Sequence, residues 1–176
     1  MPKTPRRVFI SYTAEDLKDF ADRVIRVVQL LQWVPIDHRD WAPNGVRTVP
    51  LCRQQVKDSD IVVLLVAQRY GWIPPKDQGG DGKTSITQLE YQWAREFGKP
   101  VVPYLLADKA TKWPRAHVEW RSNPKVKQPL EAFRAELREF AAAFFTEDPD
   151  SVTEKLQLGL QSAETLIAAG SADAAG

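Results

Sequence analysis

In the segment SITQLEYQWAREFGKP, Ser85 to Pro100, helical spacing puts Ile86, Leu89, Trp93, Ala94 and Phe97 on one face and Gln88, Gln92 and Arg95 opposite. Glu90 falls inside the apolar arc, four residues after Ile86 and four before Ala94. An ionised carboxylate on a buried stripe needs a partner or a polar cleft. Two readings stay open. Thr87-Gln-Leu-Glu90 has capping-box spacing, which would turn the carboxylate back onto the Thr87 amide. Ser85 with Gln88 is an equally good box; the helix then starts two residues earlier and Glu90 is left to serve a cleft. The choice decides whether the chain is an enzyme.

Three other stretches invite chemistry. Gly82-Lys83-Thr84 precedes a helix, but a phosphate-binding loop needs a glycine five positions before the Gly-Lys pair, where Asp77 stands. A flexible glycine loop is the better reading. KWPRAHVEWRSNPKVK, Lys112 to Lys127, interleaves two tryptophans with basic residues, a pattern that stacks single-stranded bases or packs a loop on a core. Cys52 shares the apolar side of a short helix with Val49 and Val56 and reads as a small core residue.

The elements that must position these residues are short apolar runs alternating with helical patterns. VFIS (8–11), VPID (34–37), IVVLLVA (61–67) and VVPYLL (101–106) are apolar at nearly every position, as strands buried on both faces require. AAFFT (142–146) reads as a fifth strand. A helix over Glu15–Gln32 carries Leu17, Phe20, Ala21, Val24, Val28 and Leu31 at helical spacing, with Thr13 and Asp16 as its capping pair. A shorter helix spans Pro50–Lys57. Pro129 opens another, with Leu130, Phe133, Leu137 and Phe140 on one face, and Ser151 with Glu154 caps a last helix running to about Gly170. Such alternation predicts an α/β, flavodoxin-like three-layer sandwich with a five-stranded parallel sheet. Ligands of these sheets bind beyond the carboxyl ends of the strands. Tyr12 and Thr13, then Arg39, Asp40 and Trp41, then Arg69, Tyr70 and Trp72 stand at those ends.

The 176 residues fit one domain, expected over 1–170, with 171–176 (within AAGSADAAG) as a flexible tail or a linker to a further domain. A net charge of +1 gives no pull toward nucleic acid or membrane. The single cysteine excludes an internal disulfide and suits a reducing cytosol. No apolar run reaches membrane-spanning length, and the two histidines are too far apart in sequence to suggest a metal site.

RVFISYTAED resembles the opening strand and polar turn of TIR domains, and IDHRDWAPNG their second strand and the loop after it. KDSDIVVLLVAQRYGW followed by SITQLEYQWAREFGKPVVPYLL resembles their third strand, glutamate-bearing helix and fourth strand. The combination of RYG with SITxxEYxxA is similar to a TIR-like family found at the front of multidomain signalling proteins. Four pieces in the right order, over about Arg7 to Leu106, carry the resemblance.

In TIR domains that cleave NAD, a glutamate at the start of this helix is catalytic, and it maps onto Glu90. The resemblance therefore implies an NAD+ glycohydrolase or cyclase acting as an assembly-dependent immune or antiphage effector in the cytoplasm. NAD+ is then substrate, with no cofactor and no metal. Cleaving nicotinamide from ribose releases a neutral ring from a cationic one, so one carboxylate suffices where sugar glycosidases need two. Tyr12 and Thr13 would line the nucleotide side, Trp41 or Trp72 would stack on a ring, and Arg69 completes the binding set. Some NAD-cleaving relatives carry an aromatic where Ile86 stands, and basic residues where Thr13-Ala14 stand. The expected partners are NAD+, a second copy meeting the site through the Asp37–Val49 loop, and a C-terminal or separate sensor domain; neither membrane nor nucleic acid is expected. The rival reading is a non-catalytic signalling module acting through homotypic contacts, and a third is a nucleoside or nucleotide glycosyl-transfer enzyme.

Overall fold

The computed structural model describes residues 4–40 and 48–173. Five strands, β1 (Arg7–Ser11), β2 (Val34–Ile36), β3 (Ile61–Val66), β4 (Val101–Leu106) and β5 (Ala143–Phe145), form one parallel sheet in the order β2-β1-β3-β4-β5. This is the expected flavodoxin-like arrangement. Every residue of β3, the central strand, is buried.

Two prolines sit in strands without breaking the ladder, and hydrogen-bond parity explains both. Val34 donates to the Arg6 carbonyl, so Pro35 points its missing N–H away from β1, at the outer edge of the sheet. Val62 donates to the Pro100 carbonyl, so even-numbered residues of β4 face β3 and Pro103 faces β5. There β5 begins only opposite Tyr104, and no ladder bond is lost.

Helices cover both faces. Helix α1 (Ala14–Leu30) buries Leu17, Phe20, Ala21, Val24 and Val28 on one side, together with Leu156, Leu160 and Ala163 of α6 (Leu156–Asp173). The other side holds α2 (Thr48–Asp58), α3 (Ile86–Glu96), the short α4 (Glu119–Ser122) and α5 (Lys127–Arg138). At the carboxyl edge the buried Arg134 guanidinium donates to the carbonyls of Ala67 and Leu106, 2.8 Å each, satisfying backbone that β3 and β4 leave open.

Several local expectations are corrected. Thr13 is the N-cap of α1, yet its hydroxyl donates to the Asp16 carboxylate instead of accepting from the helix. Helix α5 begins at Lys127, and Pro129 is accommodated in its first turn, where no intrahelical N–H is needed. Phe140 lies past the end of α5, 44% exposed, beneath the Arg95 guanidinium. Residues Pro149–Thr153 form a 3-10 turn, in which the Ser151 hydroxyl is spent on the Asp148 carbonyl, and α6 begins only at Leu156. That helix runs to Asp173, close to its expected end near Gly170. No helix among the described residues is long and apolar enough to cross a membrane.

Candidate active site

Ser85 caps α3, its hydroxyl accepting from the Gln88 amide at 3.3 Å. This releases Glu90 from a capping role. The buried stripe of α3 is Thr87, Glu90, Tyr91 and Ala94, so the carboxylate lies at the centre of the inward face, and Leu89 and Trp93 flank it half-buried. Glu90 is more enclosed than a partly exposed cleft residue, with 7% of its surface accessible.

Ser11, the last residue of β1, donates its hydroxyl to Glu90 Oε2 at 2.5 Å. Cys52 of α2 lines the same cleft as the carboxylate. No lysine, arginine or histidine pairs with Glu90 among the described residues. Burial pushes its pKa up to about 7, against the downward pull of the hydroxyl and the thiol.

Glu90 lines a cleft of about 250 Å³ at the carboxyl edge, together with Tyr12, Thr13, His38, Cys52 and Trp72. Among the described residues, three larger depressions, two along α6 and one beside the end of β5, contain no buried carboxylate. Tyr12 donates its phenol to Asp37 Oδ1 at 2.9 Å, and its ring lies 5.1 Å from the His38 ring. Burial alone would raise the pKa of Asp37, but hydrogen bonds from the Arg39 side chain and backbone and from Tyr12 outweigh it and hold the group below the usual carboxylate range. Burial holds His38 toward its neutral form, against the pull of Asp37.

The loop after β3 brings Trp72 to the rim. Glu119 accepts from the amides of Tyr70 (2.6 Å) and Gly71 (3.0 Å), and the Trp72 carbonyl receives the Ile86 amide at the start of α3. Gly71 has φ +89°, and a Cβ there would sit 2.9 Å from the Thr13 methyl group, so only glycine fits between the rim and Thr13. The tryptophans of the 112–127 stretch are occupied in packing. Trp113 lies 5.7 Å from Phe20, and Trp120 is half-buried beneath the Lys127 ammonium.

Glu90, Tyr12, Thr13 and Trp72 are thus brought to one cleft. Arg69 is not among its lining residues: its Nε lies 3.2 Å from Glu15, a cleft-lining residue. Trp41 and most of the Asp37–Val49 loop lie outside the described residues. Ser11 and Cys52 were not anticipated here. Ser11 carries a signal in the sequence: a hydroxyl ending a strand that is otherwise apolar must find a buried partner. Cys52 carries none, because a thiol on an apolar stripe packs as a hydrophobe.

A family described as "Domain of unknown function (DUF4062)" has a model that matches residues 7–161. The chain belongs to this family. No curated protein matches it. Among solved structures, this DUF4062 domain is similar to the TIR domains of the activated Roq1 resistosome directly recognizing the pathogen effector XopQ. The TM-score is 0.52 at 11% identity, over 92% of this chain and 99% of that one. It is also similar to the Clostridium botulinum CMP N-glycosidase BcmB, with a TM-score of 0.46 at 16% identity, over 87% of this chain and 98% of that one. The DUF4062 domain has a TIR-like fold.

Proposed function

We propose that the chain is an NAD+ nucleosidase that breaks the bond between nicotinamide and ribose, with Glu90 as its catalytic residue. One observation carries this reading: a carboxylate buried in a cleft at the carboxyl edge of the sheet, held by neutral donors with no cation beside it among the described residues. Such a group lacks the positive charge that would offset its desolvation. The pyridinium ring of NAD+ brings that charge. As the C1′–N bond breaks, its electron pair leaves with nicotinamide and the positive charge moves to the ribose ring, where a fixed anion stabilises it more than in the ground state. Water, or a second nucleophile within the substrate, then attacks C1′. Tyr12 and Trp72 offer rings along the cleft for the base, and Thr13 a hydroxyl oxygen. Arg69, beside Glu15, is suited to the phosphates outside the cleft.

Assembly is part of the proposal. A neighbour's Asp37–Val49 loop, with Trp41, completes the site in this reading, which is supported by the similar Roq1 TIR domains belonging to an activated resistosome. The role assigned is that of an immune or antiphage effector. Concentrated protein incubated with NAD+ should release nicotinamide, with specific activity rising with protein concentration as mass action fills the assembly. Absence of release at every concentration would favour the homotypic signalling module. Release independent of concentration would support a self-contained site.

A further inference from the structure

The Glu90 carboxylate is approached from β1 by Ser11 and from α2 by Cys52, and neither residue takes part in the bond cleavage described above. Both are buried, 1% and 3% exposed. The serine hydroxyl reaches Oε2 at 2.5 Å, and Cys52 lines the same cleft as Glu90, its thiol favouring the charged carboxylate. Packing alone does not account for them. β1 is otherwise apolar from Val8 to Ile10, and Cys52 sits between Val49 and Val56, where an aliphatic side chain would fill the same space.

We propose that Ser11 and Cys52 are positioning residues for Glu90, a hydroxyl and a thiol that fix the direction of its carboxylate. The inference rests on reading Glu90 as the charge stabiliser. A glutamate side chain has several rotamers, and a donor bonded to one oxygen holds the group so that the other lone pairs serve the cleft. Neutral donors suit this task better than a cation. Lysine or arginine would fix the charge but cancel the attraction to a cationic ring, whereas a hydroxyl and a weakly donating thiol orient the carboxylate and leave its charge uncompensated. The coupling is reciprocal: the contact that favours the carboxylate disfavours the thiolate, and Glu90 adds to the burial that already pushes the Cys52 pKa up. Among the described residues, Tyr12 and Glu15 at the β1–α1 corner and His38 after β2 are the other titratable groups lining the cleft, and Asp16 lies behind Thr13. His38 is held toward its neutral form, so none of them supplies a competing positive charge near neutral pH.

Cys52 is the sole cysteine of the chain, so the S–H stretching band in the infrared reports on it alone. In the wild-type protein that band should shift with pH along the same midpoint as the Glu90 carboxylate, read by carboxyl-carbon NMR, and the shift should vanish in Glu90→Gln. Ser11→Ala should raise the Glu90 midpoint by about one pH unit, Cys52→Ala by a smaller step, and Cys52→Ser should lower it, because a hydroxyl donates better than a thiol. The acid limb of kcat/KM for nicotinamide release should move by the same amounts in the same order. A Cys52 band indifferent to Glu90 ionisation, with the midpoint unmoved in all three variants, would overturn the proposal. If Ser11→Ala fails to fold, the near-isosteric Cys52→Ser still decides it. A protein that releases no nicotinamide contradicts the catalytic reading, while the band and the midpoints still settle the positioning role.

Discussion

Glu90 and Asp37 are both buried carboxylates at the carboxyl edge of one sheet, yet their surroundings push them in opposite directions. Asp37 is 2% exposed and surrounded by the Arg39 guanidinium at 2.6 Å, the Arg39 amide and the Tyr12 phenol, and its pKa lies below the usual range. Glu90 has a hydroxyl and a thiol, and its pKa rises to about 7. The first group has every requirement of a buried anion met within the fold. Among the described residues nothing offsets the charge of the second, and a ligand can. A carboxylate whose charge is already compensated holds a structure together; one without a counter-charge is available for chemistry.

The largest stability effect should come from removing the compensated charge. Asp37→Asn leaves Arg39 facing a neutral amide and weakens the tie between β1, through Tyr12, and the turn after β2. It should destabilise the fold by about 3 kcal/mol in chemical denaturation. If the variant matches wild type, the pair does not hold that corner and the contrast with Glu90 fails.

Removing the uncompensated charge should do the reverse. The folded protein holds the Glu90 proton more tightly than the unfolded chain does. Wild-type stability contributed by this group is therefore greatest below pH 4.5 and declines as pH rises through about 7. Glu90→Gln escapes that decline, so its stability relative to wild type should grow with pH and reach a gain of about 3 kcal/mol by about pH 8. Asp37 acts with the opposite sign: its contribution is present above the ordinary Asp value of 3.8 and is lost as pH falls through its depressed folded value. A gap between wild type and Glu90→Gln that stays constant between about pH 4 and 8 would mean that Glu90 is not under a desolvation penalty.

The smallest effect separates capping from catalysis. Ser85→Ala removes the N-cap of α3 and should lower stability by about 1 kcal/mol. Nicotinamide release, measured where the protein is fully folded, should stay within about twofold of wild type, since Glu90 is held from Ser11 and α2. A large loss of activity would tie the position of Glu90 to the helix start after all.

The fold was legible because its signals are local and redundant. VFIS and IVVLLVA have no polar face, which dictates burial between two helical layers, and the five runs came in the order of a doubly wound sheet. Helix ends were less so: Thr13 and Ser151 look like caps, but their hydroxyls found closer acceptors in Asp16 and the Asp148 carbonyl. Glu90 was legible as an anomaly on an apolar stripe. The true inward face, Thr87–Glu90–Tyr91–Ala94, was not, because the larger Leu89 and Trp93 dominate the periodicity while packing only half-buried. Ser11 and Cys52 lie 79 and 38 residues from Glu90 in the chain, and only the sheet and the α2–α3 packing bring them together. No local pattern encodes such a meeting.

We propose that the uncompensated charge of Glu90 stabilises a positive charge developing on ribose, and that charge alone can be removed. Glu90→Gln keeps the size of the side chain and an acceptor for Ser11 and Cys52. Nicotinamide release from NAD+ should be compared between wild type and Glu90→Gln at the same high protein concentration, near pH 8, where the wild-type carboxylate is ionised. Release should fall by about a hundredfold or more in the variant, the usual loss when one preorganised electrostatic contact is removed. Undiminished release by a folded Glu90→Gln protein would contradict it.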